Sequence, residues 1–162
     1  MEVGAIMSGD RGYILPSQGA DWETPRDLFD ELWAEFNGFD LDPCGTRGQY
    51  TVERVLDAGG RLFDGSVGMD GLARVWDGKV FMNPPYGKGV GDWIAKAAYE
   101  VEAGNAALVV GLLKATTDVK WWHEYVEGVL TPRFIKGRLK FGGQDGPAPF
   151  PSVILVWRLG LL

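Results

Sequence analysis

The chain has one cysteine and one histidine among its 162 residues. A lone Cys44 forms no intramolecular disulfide, which excludes a cystine-stapled secreted scaffold. A structural zinc site needs more Cys and His ligands than the chain owns, so no metal is expected. No apolar run is long enough to cross a bilayer. Residues 1–19 lack a basic end followed by an apolar stretch, so no signal peptide is expected and the cytoplasm is the expected compartment. Positive charge is also scarce: 16 Lys and Arg stand against 22 Asp and Glu, a net charge of -6. Proteins that coat nucleic acid draw affinity from counterions released by Lys and Arg, and this balance argues against such a coat. It leaves room for an enzyme with a local basic patch and a transient grip.

Aromatics and glycines are plentiful: seven Trp, eight Phe and 24 Gly. Aromatic side chains fill cores, and they also stack on bases. The length suits one domain. Residues 1–20 show no periodicity and read as a flexible start, leaving 21–162 as the domain.

Along that domain, Thr24 reads as the N-cap and Pro25 as the first residue of a helix over 26–36, with Leu28, Phe29, Leu32, Trp33 and Phe36 on one face. Asn37-Gly38 stops it. A short strand over 39–41 ends in the turn Asp42-Pro43-Cys44-Gly45. Residues 46–75 show no clear period and read as a long functional loop. A strand over 79–82 is halted by Asn83-Pro84-Pro85-Tyr86-Gly87, since two prolines end any central strand. A helix over 92–102 has Trp93, Ala97 and Val101 as its buried stripe. Residues 106–113 are apolar throughout, as in a strand buried on both faces. A helix over 118–129, short strands at 134–135 and 139–141, a Gly/Pro loop over 142–151 and a strand over 152–159 complete the chain. Alternating strands and helices predict an α/β sheet, parallel in its first half, with an antiparallel C-terminal edge. Ligands of such sheets lie beyond the carboxyl ends of the strands, so both strand-ending motifs should open onto one edge.

Asn83-Pro84-Pro85-Tyr86 suits methyl transfer to a conjugated amine. Such a nitrogen, in adenine or in a glutamine amide, is a poor nucleophile because its lone pair is delocalised. Two hydrogen-bond acceptors out of its plane free that lone pair: the Asn83 side-chain oxygen and the Pro84 carbonyl. Proline has no N–H, so Pro84 and Pro85 present no competing donor, and their fixed φ holds the acceptors still. Tyr86 offers a flat face for a base turned out of its helix. A neutral thioether leaving group needs no strong base, so the lack of a Ser, Cys or His catalytic arrangement is expected. The loop Asp42-Pro43-Cys44-Gly45 suits the sulfonium cofactor: a tight turn after a strand, Asp42 to accept from an ammonium, and Gly45 for clearance. Asp70 is a further candidate for the adenosine part, or a turn residue. Trp22, Thr24 and Pro25 stand at a helix start, which favours a carboxylate.

These pieces together resemble the small phage-type DNA N-6-adenine methyltransferases. The resemblance runs from Asp21 to about Val156. It includes Trp22-Glu23-Thr24-Pro25, Leu41-Asp42-Pro43, Asp70-Gly71-Leu72, the Asn83 to Tyr86 motif with Trp93 behind it, Thr117-Asp118 with Trp121-Trp122, Gly137-Arg138-Leu139-Lys140-Phe141 and Pro149-Phe150-Pro151-Ser152. It implies a Rossmann-like S-adenosylmethionine-dependent methyltransferase fold, with a mostly parallel sheet. It implies site-specific methylation of the adenine N-6 amine in DNA, and a phage or prophage setting in a bacterial cytoplasm. On it, Asn83, Pro84, Pro85 and Tyr86 are the catalytic candidates. Trp22, Thr24, Pro25, Asp42, Pro43, Cys44, Gly45, Asp70 and Asn83 are the cofactor candidates. The stretch after Gly45 departs from the pattern, with no clear strand carrying the acid that holds the cofactor ribose. Asp70, Glu53 and Asp57 are the alternatives.

For DNA contact, Lys88 and Lys114 flank the mouth of the site. Arg133, Lys136, Arg138 and Lys140 form the densest basic stretch, meeting phosphates or simply solvating an edge. Tyr86, Lys88, Lys114, Arg138 and Lys140 are therefore the substrate-side candidates. His123 reads as a packed residue. No separate recognition domain fits in this length, so sequence choice comes from loops or from a dimer partner, and monomer and homodimer both stay open. RNA adenine, a protein glutamine amide and non-catalytic DNA binding stand as alternatives.

Overall fold

A computed structural model describes residues 22–160. The start expected to be flexible, residues 1–20, lies outside the described residues. The described part holds helices α1 (Arg26–Phe36), α2 (Tyr50–Asp57), α3 (Val90–Glu102) and α4 (Lys120–Tyr125). It holds strands β1 (Leu41–Asp42), β2 (Arg61–Leu62), β3 (Gly78–Met82), β4 (Ala106–Lys114), β5 (Arg133–Phe134) and β6 (Ser152–Arg158). None of these helices is long and apolar enough to cross a membrane.

One six-stranded mixed sheet runs β2-β1-β3-β4-β6-β5. β1 to β4 are parallel, and β6 is antiparallel to both β4 and β5. β6 is therefore the one reversed strand, lying inside the C-terminal edge that β5 closes. The sheet is α/β and mostly parallel with an antiparallel edge, as expected. The strand expected over 139–141 is absent; an isolated bridge between Glu23 and Gly142 ties that segment to the start of the domain instead.

Side-chain alternation splits the core into two layers. Val109, Leu113, Val153, Leu155 and Trp157 face Ile94, Ala97 and Val101 of α3 and Trp121 of α4. Phe81, Val110, Leu112 and Ile154 face Phe29 and Leu32 of α1. Trp93 was expected in the buried stripe of α3. Ile94 takes that place, and Trp93 lies partly buried, stacked on Trp76 with centroids 6.2 Å apart.

Three further expectations are corrected. The segment 46–75 is not one long loop, because it forms α2 and β2. α2 buries only Thr51, Val52 and Val55 and has no side-chain cap, so little periodicity marks it. Helix α1 begins one residue later than expected: Pro25 is the cap position, and the Thr24 side chain makes no cap hydrogen bond. The helix expected over 118–129 ends at Tyr125, where Val126 leaves helical geometry and Gly128 takes φ +71°.

The order of the strands positions the site. From β1 the chain steps outward to β2, then returns to the other side of β1 as β3. That reversal is the place where open α/β sheets leave a crevice beyond their strand ends.

Candidate active site

β3 carries Asn83 to this crevice. Its side-chain Nδ2 donates to the Trp22 carbonyl at 2.7 Å and to Thr24 Oγ1 at 3.2 Å. A carbonyl oxygen only accepts, so it fixes which end of the amide faces the N-terminal segment. Oδ1 is turned the other way as an acceptor. Pro84 is buried and Pro85 half-buried, so the acceptors stand on a stiff loop whose two prolines lack donors.

Beside Asn83 stands a group of aromatics. The Tyr86 hydroxyl donates to the Leu112 carbonyl at 3.3 Å, and the residue is 8% exposed. Burial pushes the Tyr86 phenol well above its ordinary range, so it stays protonated. Phe150 meets the Tyr86 ring edge-on at 5.5 Å, and Phe141 does so at 6.4 Å. The Trp22 ring packs edge-on against both, at 5.4 Å to Phe141 and 5.0 Å to Phe150. Lys114, the last residue of β4, places Nζ 5.3 Å from the Tyr86 ring centre and 4.3 Å from that of Phe150. Burial lowers its pKa.

On the other side of the loop lies a cleft of about 200 Å³, lined by residues 43–46, by Phe63, Asp64 and Gly65 after β2, by Asp70 and Gly71, and by Pro85 and Trp93. Its walls touch closely. A Cβ at Gly71 would stand 1.9 Å from the Pro43 carbonyl oxygen, and one at Gly45 would stand 2.6 Å from Asp42 Oδ2. Only glycine permits either approach.

Asp42 lies beneath this cleft. It is buried, and its Oδ1 accepts from the Cys44 amide at 3.1 Å. Burial pushes its carboxyl up to about 6, while the amides of Cys44 and Gly45 oppose that rise. Asp42 thus ties down the turn. The Cys44 thiol is pushed up by burial and, secondarily, by the nearby Asp42 charge.

Asp64, which is not among the acids singled out from the sequence, also lines the cleft. It stands two residues past the end of β2, and its carboxylate accepts from the Ser66 hydroxyl at 2.6 Å and the Ser66 amide at 3.1 Å. Those two bonds, hydroxyl first, hold its pKa below the usual value. A two-residue strand in a Gly-rich stretch gives no alternation to read; the signal was an acid one residue after an apolar pair, Leu62-Phe63. The cleft offers Asp64 at its rim and Phe63 and Trp93 as apolar walls. Pro43 has no N–H, the Cys44 and Gly45 amides turn to Asp42 and the Thr46 amide donates to Gln49 Oε1 at 2.9 Å, so the 43–46 turn can present only carbonyl acceptors.

The predicted site residues divide accordingly. Pro43, Cys44, Gly45 and Asp70 line the cleft. Asp70 is also a turn residue, its Oδ1 accepting from the Leu72 amide at 2.9 Å. Glu53 is not brought to the cleft; it accepts from the Gly48 amide at 2.8 Å. Asp57 ends α2, outside the cleft lining. Trp22, Thr24 and Pro25, expected at the cofactor, fall on the aromatic side of Asn83 or beyond it. Pro25 lines a separate shallow pocket with Glu23, Tyr50 and Lys140. Lys114 joins the aromatics, and exposed Lys88 lines a third pocket with Trp121. Arg138 and Lys136 are exposed, and Arg133 pairs with Glu35 at 2.8 Å. His123 is not packed: it stands exposed on α4, its Nδ1 2.5 Å from Glu127 Oε2.

A family model for DNA N-6-adenine-methyltransferase (Dam) matches residues 13–151, most of the chain. No curated protein matches the chain significantly.

Proposed function

Since the chain belongs to the DNA N-6-adenine-methyltransferase (Dam) family, we propose that it moves a methyl group from S-adenosylmethionine to the N-6 amine of an adenine turned out of DNA, on a Rossmann-like core. The observation that carries this reading is the orientation of Asn83. Its amide protons go to Trp22 and Thr24. Its Oδ1 and the Pro84 carbonyl are then two fixed acceptors for an amine that must donate twice.

S-adenosylmethionine, when bound, supplies an electrophilic methyl on a sulfonium whose sulfur departs as a neutral thioether. The chain does the rest by placement. Asp64 would hold the ribose hydroxyls, Phe63 and Trp93 would cover the adenine of the cofactor, and the 43–46 turn would take its amino-acid arm. Asn83 Oδ1 and Pro84 O accept the two amine protons out of the ring plane, which localises the lone pair on nitrogen. These dipoles are in place before the reaction, so no reorganisation is needed at the transition state. The ring faces of Tyr86 and Phe150 receive the base and exclude water. The surplus proton passes to solvent after transfer. Alignment of two reactants in adjoining pockets supplies much of the rate.

The test is chemical. DNA from adenine-methylation-deficient cells expressing the chain is digested, and its nucleosides are separated by mass. N-6-methyldeoxyadenosine is expected with the wild type and absent with Asn83→Ala. Its absence with the wild-type protein at good expression contradicts the reading.

A further inference from the structure

We propose that Lys114 and Ser152 form the polar end of the base slot and read a ring nitrogen of the bound adenine, with Lys114 as the hydrogen-bond donor. The inference rests on the functional reading above and deepens it. Two acceptors at Asn83 and Pro84 select an exocyclic amine, and cytosine carries one as adenine does. Telling them apart requires contacts with the rest of the ring, where adenine presents N1, N3 and N7 as acceptors.

Lys114 and Ser152 are cross-strand partners in the β4–β6 ladder. Directly opposed residues put their side chains on one face, about 5 Å apart at Cβ. Val110, Leu112 and Ile154 share that face, and their layer contains Tyr86 and Phe141. The Lys114 ammonium lies over the faces of Tyr86 and Phe150, whose rings stand at 86° to each other. It covers the ring faces on which a base would stack. No ion pair among the described residues involves Lys114. Ser152 is 1% exposed, and its Oγ has no hydrogen-bond partner among the described residues. A buried hydroxyl without a partner is rare in a folded protein and marks a place where another group completes the bond.

A base stacking on one of these ring faces displaces the ammonium from it. Its three donors sit on a flexible stem, and the edge of the base is the nearest acceptor. The Ser152 hydroxyl rotates to donate or accept alongside. A bond to a ring nitrogen draws electrons away from the amine, so it serves binding and selection and not the transfer step. Its loss should therefore raise KM and leave kcat nearly unchanged.

The experiment uses a duplex methylated by the wild-type protein, with its target adenine replaced in turn by 1-deaza-, 3-deaza- and 7-deazaadenine. Wild type and Lys114→Met are compared on each. One analogue should lower wild-type kcat/KM by about ten- to a hundredfold, mainly through KM. Lys114→Met should show that loss already on adenine and no further loss on that analogue. Ser152→Ala should show a smaller loss. Lys114→Gln, which keeps a donor, should recover part of the activity and serves the same comparison if the Met variant fails to fold. A wild type indifferent to all three analogues overturns the inference, as does a Lys114 variant that discriminates as the wild type does. In either case methylation of ordinary adenine still upholds the broader reading; only a wild type that methylates no DNA adenine would sink both.

Discussion

At the scale of single residues, the site depends on where donors point. Asn83 to Tyr86 was legible as a strand-ending loop whose two prolines lack donors, because its chemistry is local. The part played by Thr24 was not, since Thr24 and Asn83 are 59 positions apart. A Thr before Pro reads as a cap, and only the fold shows its hydroxyl accepting from Asn83. Thr24→Val keeps the shape and removes that acceptor. One hydrogen bond is worth about 1 kcal/mol, so kcat should fall about fivefold with cofactor affinity unchanged. Equal kcat in the variant would show that the Trp22 carbonyl alone orients the amide. Asp64 should matter to cofactor affinity: Asp64→Ala should weaken S-adenosylmethionine binding about tenfold or more in calorimetry, and unaltered affinity would remove it from the ribose.

Asp42 carries a pH signature. Its folded pKa, about 6, lies above its ordinary 3.8. The folded state thus holds the proton more tightly than the unfolded state. Its contribution is fully present below about pH 3.8 and is lost as pH rises through 6. The loss amounts to about 3 kcal/mol at neutral pH. Asp42→Asn cannot ionise and still accepts from the Cys44 amide. It should be more stable than wild type at pH 7.5, by up to that amount, and no more stable at pH 4. Denaturant midpoints at the two pH values measure this, and a difference independent of pH would contradict it.

At the scale of elements, long strands were legible and short ones were not. β4 and β6 span nine and seven residues, apolar except for Lys114, Ser152 and Arg158 at their ends, and both are legible nearly whole in the sequence. β2 has two residues and α2 buries three, too few to impose a period, so both vanished into a presumed loop. The cleft depends on those hidden pieces and on close approach between loops. A Cβ at Gly71 meets backbone at Pro43, which cannot move aside as a flexible side chain can. Gly71→Ala should lower the melting temperature by several degrees and weaken cofactor binding at least tenfold. Gly89→Ala meets nothing within 4 Å and should stay within about 0.5 kcal/mol of wild type. Equal behaviour of the two variants would refute the close-packed cleft.

At the scale of the whole molecule, net charge and DNA binding pull against each other. With a charge of -6, any grip on DNA rests on a few local cations. Lys136, Arg138 and Lys140 are exposed on one segment, while Arg133 is taken by Glu35. Replacing those three by Gln should lower the slope of log affinity against log salt by about 3, equally for all sequences. An unchanged slope would make the stretch a solvated edge beside β5. The sheet's α/β class was legible from the alternation of elements. The crevice was anticipated at the strand ends, but the place of Asp64 in its lining and of the aromatics beside Asn83 came only with the three-dimensional order of β1, β2 and β3.

Methyl transfer to adenine in DNA is tested most directly by following radiolabelled methyl from S-adenosylmethionine into unmethylated duplex DNA, with RNA and bulk protein as parallel acceptors. Label is expected in DNA alone, recovered as N-6-methyldeoxyadenosine. Label confined to RNA adenine or to a glutamine amide, or no label anywhere from a folded protein that binds the cofactor, would contradict that transfer.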